Sequence, residues 1–371
     1  MTAETIGVVG LGAMGLGIAQ VFAAHGHPVI ATDRHTPTRD GALAKVRAVQ
    51  NKRVQAGKLD QSVADALAGR LQVTGSIDAL APCQLVIEAI IEDLSAKQAL
   101  FTDLEQAVDA QAILASNTSS FSIGALAASC AAPGRVLGVH FFNPAPVMKL
   151  VEVISHPAAD PAATERAMML IRATGKTVVP CRDSPGFIVN RCARPFYGEA
   201  LALLAEGRTA AQIDAAMLAA GYRIGPLSLI DLVGADINLA ATESVAAAMD
   251  QHPRYHVFPP LTQAVEAGRL GRKTGAGLLF PHEPGPAPAD AAAIARRIEV
   301  MIINEAQTAL NADIADAAGI DLALKLGLNF PRGPFELLAA HGAETVRKTL
   351  AALAAVAPAE LKARYQPAPG L

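Results

Sequence analysis

Ile6-Gly7-Val8-Val9-Gly10-Leu11-Gly12-Ala13-Met14-Gly15 decides the fold. Its first four residues form a short apolar run suited to a strand buried on both faces. The glycines at 10, 12 and 15 make a GxGxxG, and the helix formers Ile18-Ala19-Gln20-Val21-Phe22-Ala23-Ala24 lead to a terminator at Gly26. A second strand, Pro28-Val29-Ile30-Ala31-Thr32, then ends at Asp33. Strand, glycine turn, helix, strand and acid in that order describe a phosphate cradle. Gly10 makes the tight turn, Gly12 lets backbone approach a pyrophosphate, and Gly15 lets the helix sit close to the sheet. The helix start offers N–H groups and a partial positive charge, so Gly10, Leu11, Gly12, Ala13, Met14 and Gly15 are the candidate phosphate ligands. Asp33 lies where an acid accepts both ribose hydroxyls of an adenosine and repels a 2′-phosphate. That favours NAD over NADP, a preference the neighbouring Arg34 weakens.

The same rhythm runs on. Leu85-Val86-Ile87-Glu88-Ala89 reads as a strand, Ala96 to Val108 as a helix, and Ala112-Ile113-Leu114-Ala115-Ser116 as another strand. Repeated strand-then-helix units predict a Rossmann-type α/β doubly wound sheet with ligands at the carboxyl ends of its strands. Polar clusters follow those ends: Glu92 and Lys97 after one, Asn117-Thr118-Ser119-Ser120 after the next.

Length and composition agree. A chain of 371 residues exceeds what one hydrophobic core usually serves, and 51% hydrophobic content is enough to build more than one. Thirty-one basic against thirty-four acidic residues leave a formal charge of −3, too balanced to signal nucleic acid or an anionic membrane. The four cysteines (Cys83, Cys130, Cys181 and Cys192) form no CxxC pair and read as free thiols in a reducing compartment. Thr5 to Thr32 contains no Lys, Arg, Asp or Glu and imitates a membrane span. Its six glycines, Pro28 and the preceding Glu4 argue against a span or a leader, so the expected location is the cytoplasm.

The chemistry centres on a histidine. Val136-Leu137-Gly138-Val139-His140 reads as a strand finishing in an imidazole, and Leu150-Val151-Glu152-Val153-Ile154 as the next strand. A Pro- and Asn-containing connection between them allows the two to lie side by side, bringing His140 near Glu152. A carboxylate beside an imidazole fixes its tautomer and stabilises the imidazolium, which suits a general base. An acid inside an otherwise apolar strand also needs a partner.

Four motifs then resemble the L-3-hydroxyacyl-CoA dehydrogenase family, which includes bacterial 3-hydroxybutyryl-CoA dehydrogenases. They are Ala115-Ser116-Asn117-Thr118-Ser119-Ser120, the run from His140-Phe141-Phe142-Asn143-Pro144 to Glu152, Ser184-Pro185-Gly186-Phe187-Ile188-Val189-Asn190-Arg191, and Gly271-Arg272-Lys273-Thr274-Gly275. The resemblance implies that His140 is the base with Glu152 as its orienting partner. It implies that Ser119 and Asn190 hold the C3 oxygen and thioester region of an acyl-CoA substrate. Asp33, Glu92, Lys97, Asn117, Ser119 and Asn143 would contact NAD, and Lys273 would approach the cofactor site. Lys52 is the candidate contact for a CoA phosphate. Two departures bear on substrate range: Ser228 stands where the family usually has Glu, and Gly277-Leu278-Leu279 replaces Gly-Phe-Tyr.

Beyond Asn190 the pattern is all-α and occurs twice. Glu199-Ala200, Ile213-Asp214 and Gly225-Pro226 recur as Glu305-Ala306, Ile320-Asp321 and Gly333-Pro334. The expected organisation is a Rossmann domain over 1–183, a helical copy over 184–282, a Pro-rich linker over 283–290 and a second copy over 291–371. Single-copy members of the family dimerise through this helical domain. The second copy is therefore expected to cover that surface within one chain, which permits a monomer and leaves a homodimer open.

Other readings weigh less. His252 and His256 have i, i+4 spacing, but Pro253 and Pro259-Pro260 oppose a helix there and no metal site is expected. Arg269 to Lys273 is basic without the interleaved aromatics of a nucleic-acid binder. The β-hydroxyacid dehydrogenases share Gly10 to Gly15 but rely on a lysine on a glycine-rich helix, which is not apparent here. Relatives acting on carnitine or gulonate share the His–Glu arrangement and stay open, as does a non-enzymatic NAD-binding protein.

Overall fold

Eight short strands organise the amino-terminal part of a computed structural model that describes residues 3–371. They are β1 (Ile6–Val9), β2 (Val29–Thr32), β3 (Leu71–Thr74), β4 (Leu85–Glu88), β5 (Ile113–Ser116), β6 (Val136–Phe141), β7 (Leu150–Ser155) and β8 (Thr177–Arg182). They form one sheet in the order β3-β2-β1-β4-β5-β6-β7-β8. Every pairing is parallel except β6 with β7, which runs antiparallel. The exception follows from chain length, because the short link between those strands leaves no room for the crossover that parallel neighbours need.

The helices around this sheet are α1 (Ala13–Ala24), α2 (Thr36–Asp40), α3 (Ala42–Gln55), α4 (Gln61–Gly69), α5 (Leu94–Ala107), α6 (Ile123–Ala127) and α7 (Pro161–Ala173). With both faces covered, β1, β2, β4 and β5 are buried along their whole length, as their unbroken apolar runs require. The charge-free stretch from Thr5 to Thr32 is thus divided among β1, α1 and β2. From β1 the chain winds towards β3, then crosses back to β4. The order reverses between β1 and β4, and ligands of open α/β sheets bind at such a point.

Two strands escape the sequence reading. In β3, Gln72 breaks the apolar run, and in β8, Pro180 does. Both lie at sheet edges, where a missing donor or a polar side chain is tolerated. Helix α5 starts two residues earlier than expected, because the Asp93 side chain caps it by accepting from the Ala96 amide at 2.8 Å.

The chain up to Asp183 forms one compact unit and Ser184–Leu371 a second. The second is built from α8 (Val189–Ala205), α9 (Ala210–Ala219), α10 (Pro226–Val233), α11 (Ala235–Ala248), α12 (Pro259–Glu266), α13 (Ala291–Asn311), α14 (Ala317–Gly327), α15 (Pro334–His341) and α16 (Ala343–Val356). One local design occurs twice in it. Asp214 on α9 accepts from the Leu227 and Ser228 amides at the start of α10, at 3.0 and 2.7 Å. Asp321 on α14 does the same for Phe335 and Glu336 at the start of α15, at 2.7 and 3.2 Å. Gly225 and Gly333 precede these helices, and a Cβ on either would come 2.2 or 2.3 Å from the aspartate Cγ. Helix α13 lies against both α8 and α9, and α8 in turn against α14.

Among the described residues, no helix is long and apolar enough to cross a membrane. His252 and His256 flank a 3-10 turn, Pro253–Tyr255, instead of sharing a helix.

Candidate active site

The antiparallel pairing of β6 and β7 sets His140 directly opposite Glu152. His140 Nδ1 and Glu152 Oε2 are 2.7 Å apart, with the carboxylate wholly buried. Taking a carboxylate out of water is costly unless it is hydrogen-bonded, so the imidazole is as much required by Glu152 as served by it. The Phe142 ring stands 4.5 Å from the histidine ring. The connection after His140 holds Asn143, which is exposed, and the cis peptide Asn143-Pro144. Lys176, just before β8, ties that connection down by donating to the carbonyls of Ala145 and Met148, each at 2.6 Å. Burial holds the Lys176 ammonium below its ordinary pKa.

A second buried acid ends β4. Glu88 accepts from Lys97 Nζ, Ser116 Oγ and the Ile90 amide, each at 2.6 Å. Lys97 also reaches Glu92 at 3.2 Å. Glu92 in turn accepts from the Ser119 amide at 3.0 Å and from Thr118 Oγ1 at 3.1 Å. The loops after β4 and β5 are thereby fixed to each other, with Ser119 at their junction. Lys97, expected at the cofactor, is almost fully buried against Glu88, so its effect reaches the crevice through Glu92. Asn117 uses its side-chain oxygen to accept from the Phe141 amide at 2.8 Å, which links this junction to the residue after His140. Glu88 was missed in the sequence, although it carries the signal that identified Glu152, an acid among apolar strand residues.

The turn between β1 and α1 fits a dinucleotide. Gly10 has φ +96°, open to glycine, and Gly15 approaches it so closely that a Cβ would fall 1.8 Å from the Gly10 carbonyl oxygen. An added Cβ on Gly12 would meet nothing, so the space before the α1 amino terminus is open. No side chain caps that helix, and its first N–H groups face the opening. Asp33 follows β2, its carboxylate accepting from the Leu11 amide and the His35 amide at 2.8 Å each. Lys52 lies exposed in the last turn of α3.

In the helical unit, Asn190 is the second residue of α8, and the following Arg191 is buried. Lys273 lies on a 3-10 turn and pairs with Asp236 at 2.6 and 2.7 Å. That ammonium holds the Asp236 carboxyl below the usual carboxylate range. Ser228 has no counterpart to what Glu336 does in α15, where the carboxylate accepts from the Gly333 amide at 2.9 Å and pairs with Lys325.

Comparison with known proteins matches these parts in order. The 3-hydroxyacyl-CoA dehydrogenase NAD binding domain matches residues 5–184, and the C-terminal domain of the same enzymes matches residues 186–279 and 294–370. The chain belongs to the 3-hydroxyacyl-CoA dehydrogenase family. NAD is accordingly the cofactor of its amino-terminal domain. The 3-hydroxyadipyl-CoA dehydrogenase of Escherichia coli K12 is 46% identical over 279 residues, covering 74% of this chain and 58% of that protein. This chain thus spans less than two thirds of that relative's length. The probable 3-hydroxybutyryl-CoA dehydrogenase of Deinococcus radiodurans is 40% identical over 73% of this chain and 98% of its own. Among solved structures, a 3-hydroxybutyryl-CoA dehydrogenase from Escherichia coli K12 superposes with a TM-score of 0.91 at 33% identity, covering 100% of this chain and 97% of the other.

Proposed function

We propose that this chain catalyses the reversible, NAD-dependent oxidation of an L-3-hydroxyacyl-CoA to the 3-ketoacyl-CoA. The observation that carries the proposal is the His140–Glu152 contact of 2.7 Å at the carboxyl end of β6. With the Nδ1 proton donated to Glu152, the lone pair of Nε2 is the one that takes the C3 hydroxyl proton. Glu152 then faces a newly formed imidazolium and stabilises it without moving. NAD, when bound, accepts the hydride from C3. Ser119, held by Glu92, orients the C3 oxygen, and Asn190 holds the thioester region. Asp33 takes the adenosine ribose and the turn from Gly10 to Gly15 the pyrophosphate. Asn117, Asn143, Lys97 and Lys273 complete the proposed cofactor surroundings, and Lys52 is assigned to a CoA phosphate.

The names of the two relatives described above favour a short 3-hydroxyacyl-CoA, with either a methyl or a carboxylate at the far end. We further propose that the helical unit is a duplication, 184–282 and 291–371 joined by 283–290. The repeated Asp214 and Asp321 arrangement supports this. The second copy then covers the first as a partner subunit would, and the expected species in solution is a monomer.

The test is NADH oxidation across 3-ketoacyl-CoAs of increasing length, including one with a distal carboxylate, with NADPH as control. Turnover of a short thioester with NADH is the expected result. Oxidation of free hydroxy acids, with none of the thioesters turned over, would overturn the proposal.

A further inference from the structure

Helix α8 begins at Val189, and its N-cap residue, Ile188, has an aliphatic side chain that offers no oxygen to the first turn. First turns lack intrahelical N–H bonds and fray unless something else holds them. Here the Arg191 amide donates to the Gly186 carbonyl at 3.0 Å, and the Arg191 side chain adds a tertiary hold. Its Nη1 donates to Ser184 Oγ at 3.1 Å, and its Nε donates to Glu305 Oε1 at 2.6 Å. Glu305 belongs to α13 and is wholly buried. It also accepts from Tyr255 Oη at 2.6 Å and from Arg254 Nη1 at 3.2 Å. Burial works against the charge on Arg191, but the carboxylate outweighs it and raises the guanidinium pKa further.

The chain contains a mirror of this cluster. Glu199 on α8 is equally buried and accepts from Arg297 Nε at 2.7 Å and Tyr365 Oη at 3.2 Å. Arg364 Nη2 donates to its other oxygen at 3.0 Å. Each cluster therefore holds one glutamate, two arginines and one tyrosine. Arg191 in the first turn of α8 and Arg297 in the second turn of α13 each reach the glutamate of the opposite helix. The two differ in what stands beside that arginine. Asn190 precedes Arg191, whereas Arg296 precedes Arg297. Arg191 Nη1 goes back to Ser184, while Nη1 and Nη2 of Arg297 go to Glu206, at 2.6 and 2.7 Å.

We propose that Glu305 is a positioning residue for the reaction: through Arg191 it fixes the first turn of α8 and so the side chain of Asn190. A planar guanidinium shared between a buried carboxylate and a hydroxyl has little freedom left, and the residue beside it inherits that restriction. The second helical copy then contributes to turnover by holding a residue of the first, in addition to covering its surface. The inference rests on the assignment of Asn190 to the thioester.

The two clusters allow an internally controlled experiment. Glu305→Gln and Glu199→Gln remove the same charge from chemically matched sites, so both should lower Tm by similar amounts. Glu305→Gln should lower kcat with a short 3-ketoacyl-CoA roughly 10- to 100-fold while the Kd for NADH stays as in the wild type. Glu199→Gln should leave kcat within about twofold, since distant independent sites do not couple. In an Asn190→Ala background, Glu305→Gln should cost nothing further in kcat. A merely structural role would make the two losses multiply. If either Gln variant fails to fold, Arg191→Lys and Arg297→Lys repeat the comparison, because an ammonium cannot span the carboxylate and the second acceptor as the fork does. Equal kcat for the mirrored variants, or multiplying losses, overturns the positioning role alone. Wild-type turnover in Asn190→Ala overturns the assignment of Asn190 and the positioning role with it.

Discussion

Among the described residues, two histidine–glutamate pairs share one length, 2.7 Å, in different settings. His140 uses Nδ1 and pairs with Glu152 across neighbouring antiparallel strands, with side chains 8% and 0% exposed. His341 uses Nε2 and pairs with Glu299 between the last residue of α15 and the middle of α13, with side chains 20% and 4% exposed. Distance does not separate them, and burial differs only in degree. Placement separates them. His140 is the penultimate residue of β6, on the side of the sheet where α/β proteins bind ligands and close to the loop that carries Asn143. His341 closes a helix, where an imidazole near the carboxyl-terminal carbonyls is electrostatically favoured and ties two helices together. On the proposed function the first pair moves a proton, whereas the second holds packing.

Removing the two histidines should give the widest separation. His140→Ala is expected to lower kcat by roughly 10²- to 10⁴-fold, with the Kd for NADH nearly unchanged. His341→Ala should keep its turnover and lose about 1–3 kcal/mol of stability, because Glu299 is left buried without its donor. Steady-state kinetics and denaturant melts on both variants would check this. Near-normal activity in the first, or a collapse of turnover in a folded second, would erase the distinction.

The glutamates sharpen the comparison. Glutamine at 152 can still accept the Nδ1 proton but offers no charge to an imidazolium, so kcat should fall roughly 10- to 100-fold with little change in KM. Glutamine at 299 should leave both constants alone and change stability by about 1 kcal/mol, the usual scale of one hydrogen bond. The informative measurement is the split between kcat and KM for each variant. A matched loss of kcat at position 299 would mean that the second pair is coupled to the chemistry.

How much of this was legible in the sequence follows the range of each signal. The turn from Gly10 to Gly15 and the facing of His140 by Glu152 are written in short spacings: a strand, a brief connection and a strand leave few registers to choose from. The strands β3 and β8 left no such trace, because Gln72 and Pro180 interrupt their apolar runs at the sheet edges. Glu88 had the same signature as Glu152, but its partners, Lys97 and Ser116, come from a helix and a parallel strand, and no spacing announces either. The Arg191–Glu305 and Arg297–Glu199 exchange is further out of reach. Its members lie on two helices separated by most of a domain, and helical periodicity shows only that each faces inwards.

The smallest effect concerns what each glutamate presses upon. Cys181 is fully buried, and its thiol is raised well above its ordinary pKa, first by burial and then by the charges of Glu152 and Asp183. Tyr222 is raised likewise, first by burial and then by Glu299, with Arg332 opposing. Both groups bind their proton more tightly in the folded chain than in the unfolded one. Their contribution to stability is therefore complete below the unfolded pKa and is lost as pH rises towards the folded value. The window opens at about pH 8.5 for the thiol and about pH 10 for the phenol. Stability should thus decline on the alkaline side in two stages. Cys181→Ala should lessen the earlier stage, which Cys83 and Cys130 also feed, and Tyr222→Phe the later one, which Tyr197, Tyr255 and Tyr365 share, each leaving the slope below about pH 8 unchanged. Urea melts at half-unit intervals between pH 7 and 11 would resolve the stages. A decline that neither substitution alters would show that burial and the neighbouring glutamate together leave these protons no tighter in the folded chain, and the parallel between the pairs would end at their shared bond length.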